Sequence, residues 1–138
     1  MVHKNVTSRI PNDDLDIIVV WTPRYPGDDR SKAVGATEHM PDARAIHFWD
    51  EHGAVSTIYG RVLNLPTGNQ FAWDTYMVFD GKAEWIGSPP TPNHWMHQLE
   101  VLGRSHPGWL NADRFRQTTQ QLFDSDEAPQ SGTTSAES

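Results

Sequence analysis

Residues 15–21 hold Ile17, Ile18, Val19 and Val20 in succession, so apolar β-branched side chains fall on both odd and even positions, as in a strand covered on both faces. The run predicts a central strand. Pro23, Pro26 and Gly27 then impose a loop over 22–29, and residues 30–40 predict a helix that Gly35 weakens and Pro41 ends. Residues 43–49 set Arg44, Ile46 and Phe48 against Ala45, His47 and Trp49, a period of two that predicts a second strand. Asp50 can cap a helix whose apolar stripe is Val55, Ile58, Tyr59 and Val62, with Asn64 and Pro66 as its stop. Residues 71–79 predict a third strand, and Asp80-Gly81, a favoured two-residue hairpin turn, predicts an antiparallel partner over 82–86. Thr91-Pro92 suits a helix start, which puts Trp95, Leu99 and Leu102 on one face of a helix over 93–102. After a loop over 103–110, Asn111 caps a last helix to residue 123 with Ala112, Phe115, Leu122 and Phe123 inward.

The two ends lack such periodicity. Residues 1–14 are polar and read as an N-terminal arm or irregular lead-in. Residues 124–138 carry four acids and no base and read as a disordered acidic tail, because they cannot bury enough apolar surface to offset the entropy of ordering. A single globular domain over 15–123 remains, which suits a chain of 138 residues.

Composition narrows the chemistry. The chain has no cysteine, which excludes disulfides, thiol catalysis and every cysteine-based metal site. Eighteen acids face 11 scattered bases, and this balance of −7 argues against nucleic acid as a partner. Without the four acids of the tail the charge falls to about −3, too little to mark an anionic binding surface. No run of 18 apolar residues occurs, so no membrane partner is expected, and the polar first residues lack the apolar middle of a signal peptide. A cytoplasmic location is the expectation.

The order strand, helix, strand, helix, strand, strand, helix over 15–102 resembles the thioredoxin fold. The resemblance implies an α/β domain with a mixed four-stranded sheet flanked by helices, to which the last helix is appended. Its sheet order would seat the 15–21 strand between the 43–49 strand and the 71–79 strand. Two family features are missing. Where the family carries its redox Cys-x-x-Cys, this chain reads Trp21-Thr22-Pro23-Arg24-Tyr25, and the proline that the family keeps just before its third strand has Pro66, five residues before Phe71, as its nearest counterpart. No catalytic residue of the family carries over. A ferredoxin-like α+β sandwich, or a related dimeric barrel, has similar element counts and differs in strand order.

Two groups of residues are candidates for chemistry. Ligands gather at the carboxyl ends of parallel strands, which places Thr22, Arg24 and Tyr25 of the first loop beside Asp50 and His52 of the second in one cleft. His94 and His97, three apart on the expected helix, could share a divalent metal ion with His106, Glu100 or Asp74 as a third ligand. No other cofactor is expected. Of the six tryptophans, Trp21, Trp49, Trp73 and Trp95 fall at inward positions, and Trp109 is expected at a surface or a contact. The function expected is a cysteine-free binding module for a protein or a small molecule. The alternative is a metal protein or an enzyme in which a histidine and a carboxylate work together. Oligomeric state is left open.

Overall fold

The computed structural model describes residues 2–127. The chain is mixed α/β, with strands β1 (Ile17–Trp21), β2 (Ala45–Trp49), β3 (Thr75–Val78) and β4 (His94–His97) and helices α1 (Val2–Asn5), α2 (Arg30–Ala36), α3 (Ala54–Val62) and α4 (Ala112–Glu127). Most of the acidic tail expected over 124–138 lies outside the described residues, while α4 itself continues past residue 123 to Glu127.

The first half follows local signals. β1 and β2 pair in parallel, Ile17 opposite Ala45 through Trp21 opposite Trp49, with α2 as the crossover between them. The Asp29 carboxylate accepts from the Lys32 amide and caps α2. The cap position of α3 is taken by Gly53 rather than Asp50, yet the Asp50 carboxylate still accepts from the Val55 amide at 2.8 Å. Asn64, at φ 53°, closes α3 in the left-handed region. The Asn111 side chain accepts from the Arg114 amide and opens α4.

The second half departs from them. The four strands divide into two two-stranded sheets, β1 with β2 and β3 with β4, so β1 has a neighbour on one side only and does not lie in mid-sheet. Its apolar run accordingly covers less than a central strand would: Ile18 is 66% exposed, and Ile46 and Phe48 beside it stand in solvent. The residues 82–86 do not form the partner of β3. That partner is β4, which was expected to be helix, in antiparallel register with Thr75 opposite His97 and Val78 opposite His94. The connection is closed by Asp80 and Asn93: the Asp80 amide donates to the Asn93 side-chain oxygen, and the Asn93 side-chain amide donates to the Asp80 carboxylate, so Asn93 ties a strand entry where a helix after Thr91-Pro92 was expected.

Burial explains this choice. One face of the β3–β4 pair carries Tyr76, Val78 and Met96 against Phe115, Leu122 and Phe123 of α4 and against Val6 and Ile10. The other carries Met77 and Trp95 against Val55, Tyr59 and Val62 of α3 and against Leu65 and Leu99. A helix would present Trp95, Leu99 and Leu102 on one side and leave Met96, fully buried here, outside it. Within the N-terminal arm, Val6 and Ile10 are 1% exposed and complete the core under α4. Arg44 holds that segment in place, donating to the carbonyls of Thr7 at 2.7 Å, Ile10 at 2.6 Å and Asn12 at 2.9 Å while paired with Asp42 at 2.8 Å.

Candidate functional site

The loop after β1 is a built turn. The Asp28 carboxylate accepts from the backbone amides of Arg24 and Tyr25 at 2.8 and 2.7 Å, and these bonds hold its pKa below the ordinary carboxylate value. The turn presents two side chains to Trp73, which precedes β3. The Arg24 guanidinium lies 4.6 Å from the centre of the Trp73 ring, and the Tyr25 ring meets Trp73 edge-on at 6.2 Å. Arg24 and Trp73 form one wall of a cleft of about 480 Å³ whose other walls are Gly68–Phe71 and Leu99–Val101.

The shape of this cleft depends on a close approach of two backbones. The Ala72 amide donates to the Ser56 carbonyl at 2.9 Å, which brings the 70–72 segment onto α3. At Gly60 of α3 a Cβ would collide with the Gln70 carbonyl, so only glycine allows that contact. Gln70 is fixed in turn by its side-chain amide, which donates to the Leu65 carbonyl.

The five residues expected to share a cleft are divided. Arg24 lines it and Tyr25 packs at its mouth through Trp73. Thr22 and Asp50 sit side by side at the strand ends, where the Asp50 amide donates to the Trp21 carbonyl and the buried Thr22 hydroxyl has no partner among the described residues. Neither lines the cleft. His52 points away into solvent with its side chain 88% exposed, 3.9 Å from Glu51, itself 75% exposed. Trp73, Gln70 and Glu100, which complete the site, come from segments whose placement depends on β3 and β4.

The metal pair does not form. On a strand, residues three apart face opposite sides, and so His94 lies near Phe115 of α4 while His97 stacks beside Trp95 and Trp109. Among the described residues no three His, Asp or Glu side chains stand together so as to hold a metal ion. Burial lowers the pKa of both histidines, with Arg114 adding to the effect at His94 and His106 at His97. His106, proposed as a third ligand, instead meets His97 directly, Nε2 to Nδ1 at 2.9 Å.

A second hollow of about 370 Å³ lies between α2 and the β1–β2 pair, lined by Trp21, Ala33, Val34, His47 and Trp49 among others. The Trp21 indole N–H donates to His47 Nδ1 across its floor at 3.1 Å, and Arg30 and Thr37 add polar groups to its lining. No helix of the described residues is long and apolar enough to cross a membrane. The chain matches no protein-family model, no curated protein and no solved structure.

Proposed function

We propose that the chain is a binding module without thiol chemistry, and that its ligand is a small molecule with a flat ring and an anionic group. The observation that carries this reading is the Arg24 guanidinium stacked on Trp73 at the mouth of the 480 Å³ cleft, beyond the carboxyl end of β1. Ligands of α/β domains collect at such strand ends, and the cleft has Arg24, Asn69, Gln70 and Glu100 as polar groups to orient one. Stacking fixes the guanidinium plane and leaves its N–H edge to a carboxylate or phosphate. Leu99, Val101 and Phe71 supply apolar contact for a ring, and Glu100 and Asn69 supply polar edges.

The thioredoxin-like reading belongs to the same proposal. Its support is the parallel strand-helix-strand unit followed by an antiparallel pair, with the cleft beside the loop where that family keeps its reactive motif. A cytoplasmic location, expected from composition, is part of it as well.

A titration of the 15N-labelled protein with benzoate, phenyl phosphate and adenosine monophosphate tests the site. Perturbed amides should cluster at Arg24, Tyr25, Gln70, Trp73 and Glu100, and Arg24→Ala and Trp73→Ala should each weaken binding at least tenfold. If none of the three probes shifts these amides at millimolar concentration, or the shifts centre on Trp21 and His47, the reading fails.

A further inference from the structure

The hydrogen bonds around His97 leave one choice of tautomer. Its Nδ1 accepts from the Leu99 amide at 3.0 Å, so the single hydrogen of the neutral ring is on Nε2 and is donated to His106 Nδ1 at 2.9 Å. His106 Nδ1 also receives the Gly108 amide at 3.0 Å, which puts the hydrogen of that ring on Nε2. Both ring acceptors are therefore in use. A further proton has only the two Nδ1 atoms to enter, and each already faces an N–H group. At His97 it would displace the Leu99 amide. At His106 it would displace the Gly108 amide and the His97 ring together.

The pair is also the fastening of the loop after β4. The His97 amide donates to the Gly108 carbonyl at 2.9 Å, and the Leu110 amide donates to the His97 carbonyl at 2.7 Å. His97 is fully buried between Trp95 and the edge of Trp109. At Gly108 a Cβ would stand 3.1 Å from His106 Nδ1 and 3.2 Å from His97 Cδ2, so glycine there lets the loop backbone pack close against both rings. The charged and titratable groups around it offer little to a cation. On the loop are His106 and Arg104, the latter stacked on Trp109, and from α4 Arg114 donates to the Pro107 carbonyl. On the β3 side, next to Thr75, is Asp74, an exposed residue whose pKa desolvation raises. Glu100 is exposed beyond Leu99, and His94 lies on the other face of β4.

We propose that His97 and His106 are a pH-operated latch, closed when both rings are neutral, whose protonation frees the Gly103–Leu110 loop and the Leu99–Val101 wall of the cleft together. The geometry gives this consequence because the Leu99 amide bonded to His97 starts the segment that lines the cleft. Control of ligand binding rests on the cleft being a ligand site; release of the loop does not.

The test separates the two. Histidine side-chain 15N spectra of the ligand-free protein between pH 8 and 5 should show Nε2–H tautomers for both rings at the upper end and protonation of His97 below pH 6.5. Protection of the Leu99 and Gly108 amides from hydrogen exchange, corrected for the intrinsic rate, should fall at least tenfold with that protonation. His106→Gln keeps an acceptor for His97 and Gly108 that does not titrate, so in that variant loss of protection should move to lower pH by a unit or more. If both amides stay protected after the rings titrate, or His106→Gln leaves the midpoint where it was, the latch is wrong whatever the cleft binds. Where the probes bind, their affinity at pH 5.5 should drop about tenfold in the native chain and stay level in His106→Gln. A drop of equal size in both would sever the latch from the cleft.

Discussion

At the level of single residues, Arg44 carries more of the structure than its place in an alternating strand suggests. One guanidinium satisfies the carbonyls of Thr7, Ile10 and Asn12 and the Asp42 carboxylate, and that partner holds the Asp42 pKa down to about 2. Replacing Arg44 with Met leaves the Ile10 carbonyl without its donor and the Asp42 carboxylate, 9% exposed, without its cation and with only the residue-44 amide, which should cost about 3 kcal/mol in urea unfolding. A loss under 1 kcal/mol would mean that water replaces the clamp. Ile10→Ala should cost roughly 2–5 kcal/mol because that side chain is enclosed. Ile18→Ala, at a site 66% exposed, should stay within about 0.5 kcal/mol. Ile18 lies in an apolar run and Ile10 among polar residues, so their local surroundings rank the two the wrong way round. The candidate cleft shows the same limit. Arg24 and Tyr25 were readable from the loop that follows a strand, whereas Trp73 and Glu100 reach the site only because distant segments fold against it. The His97–His106 contact was hidden too, since a helical reading of 93–102 sends His97 away from the core.

Among the elements, β4 shows how a local signal loses. Trp95, Leu99 and Leu102 satisfy a helical stripe, but a short apolar run fits either period. Pairing with β3 buries Met96 on one side and Trp95 on the other, against two separate clusters. The hairpin expected at Asp80-Gly81 fails for a related reason. The segment 82–86 includes Lys82 and Glu84, and Trp85 and Ile86 remain 50% and 77% exposed, so it has little to bury against β3. In contrast α3 formed where its stripe indicated, with Gly53 in place of Asp50 at its cap, and α4 opened at Asn111, because both signals sit within a few turns of chain. The contact of α3 with the 70–72 segment leads to a test. Gly60→Ala drives a methyl into the Gln70 carbonyl and should destabilise the fold by about 1–3 kcal/mol in thermal or urea unfolding. It should also shift the amides of Gln70 and Phe71 at the cleft. Unchanged stability and unchanged spectra would show that α3 and the cleft wall are less closely fitted than the distances indicate.

Across the whole molecule, pH draws these parts together. His94 and His97 have pKa values lowered below 6.5 by burial, so the unfolded chain binds protons that the folded one refuses. Their contribution to stability is therefore complete above pH 6.5 and declines as pH falls toward the folded values. Asp42, with its pKa at about 2 against an ordinary 3.8, adds about 2 kcal/mol that is complete above pH 3.8 and lost as pH falls through 2. At the alkaline end Tyr76 is pushed up to about 12, first by burial and then by Asp74, so stability should decline as pH rises from 10 toward 12. Urea midpoints across this range should show two acid losses, near neutrality and near pH 3. His97→Asn should reduce the first while leaving the second, and a single smooth loss centred on pH 4 would contradict both assignments. The order of β1, α2, β2 and α3 could be read directly from the chain, because caps, turn residues and side-chain period act over a few residues. Which strands pair, whether the polar first residues dock and which histidines meet are long-range matters. They turn on how much apolar surface each alternative buries, a quantity that exists only once Val6, Met96 and Phe115 have come together.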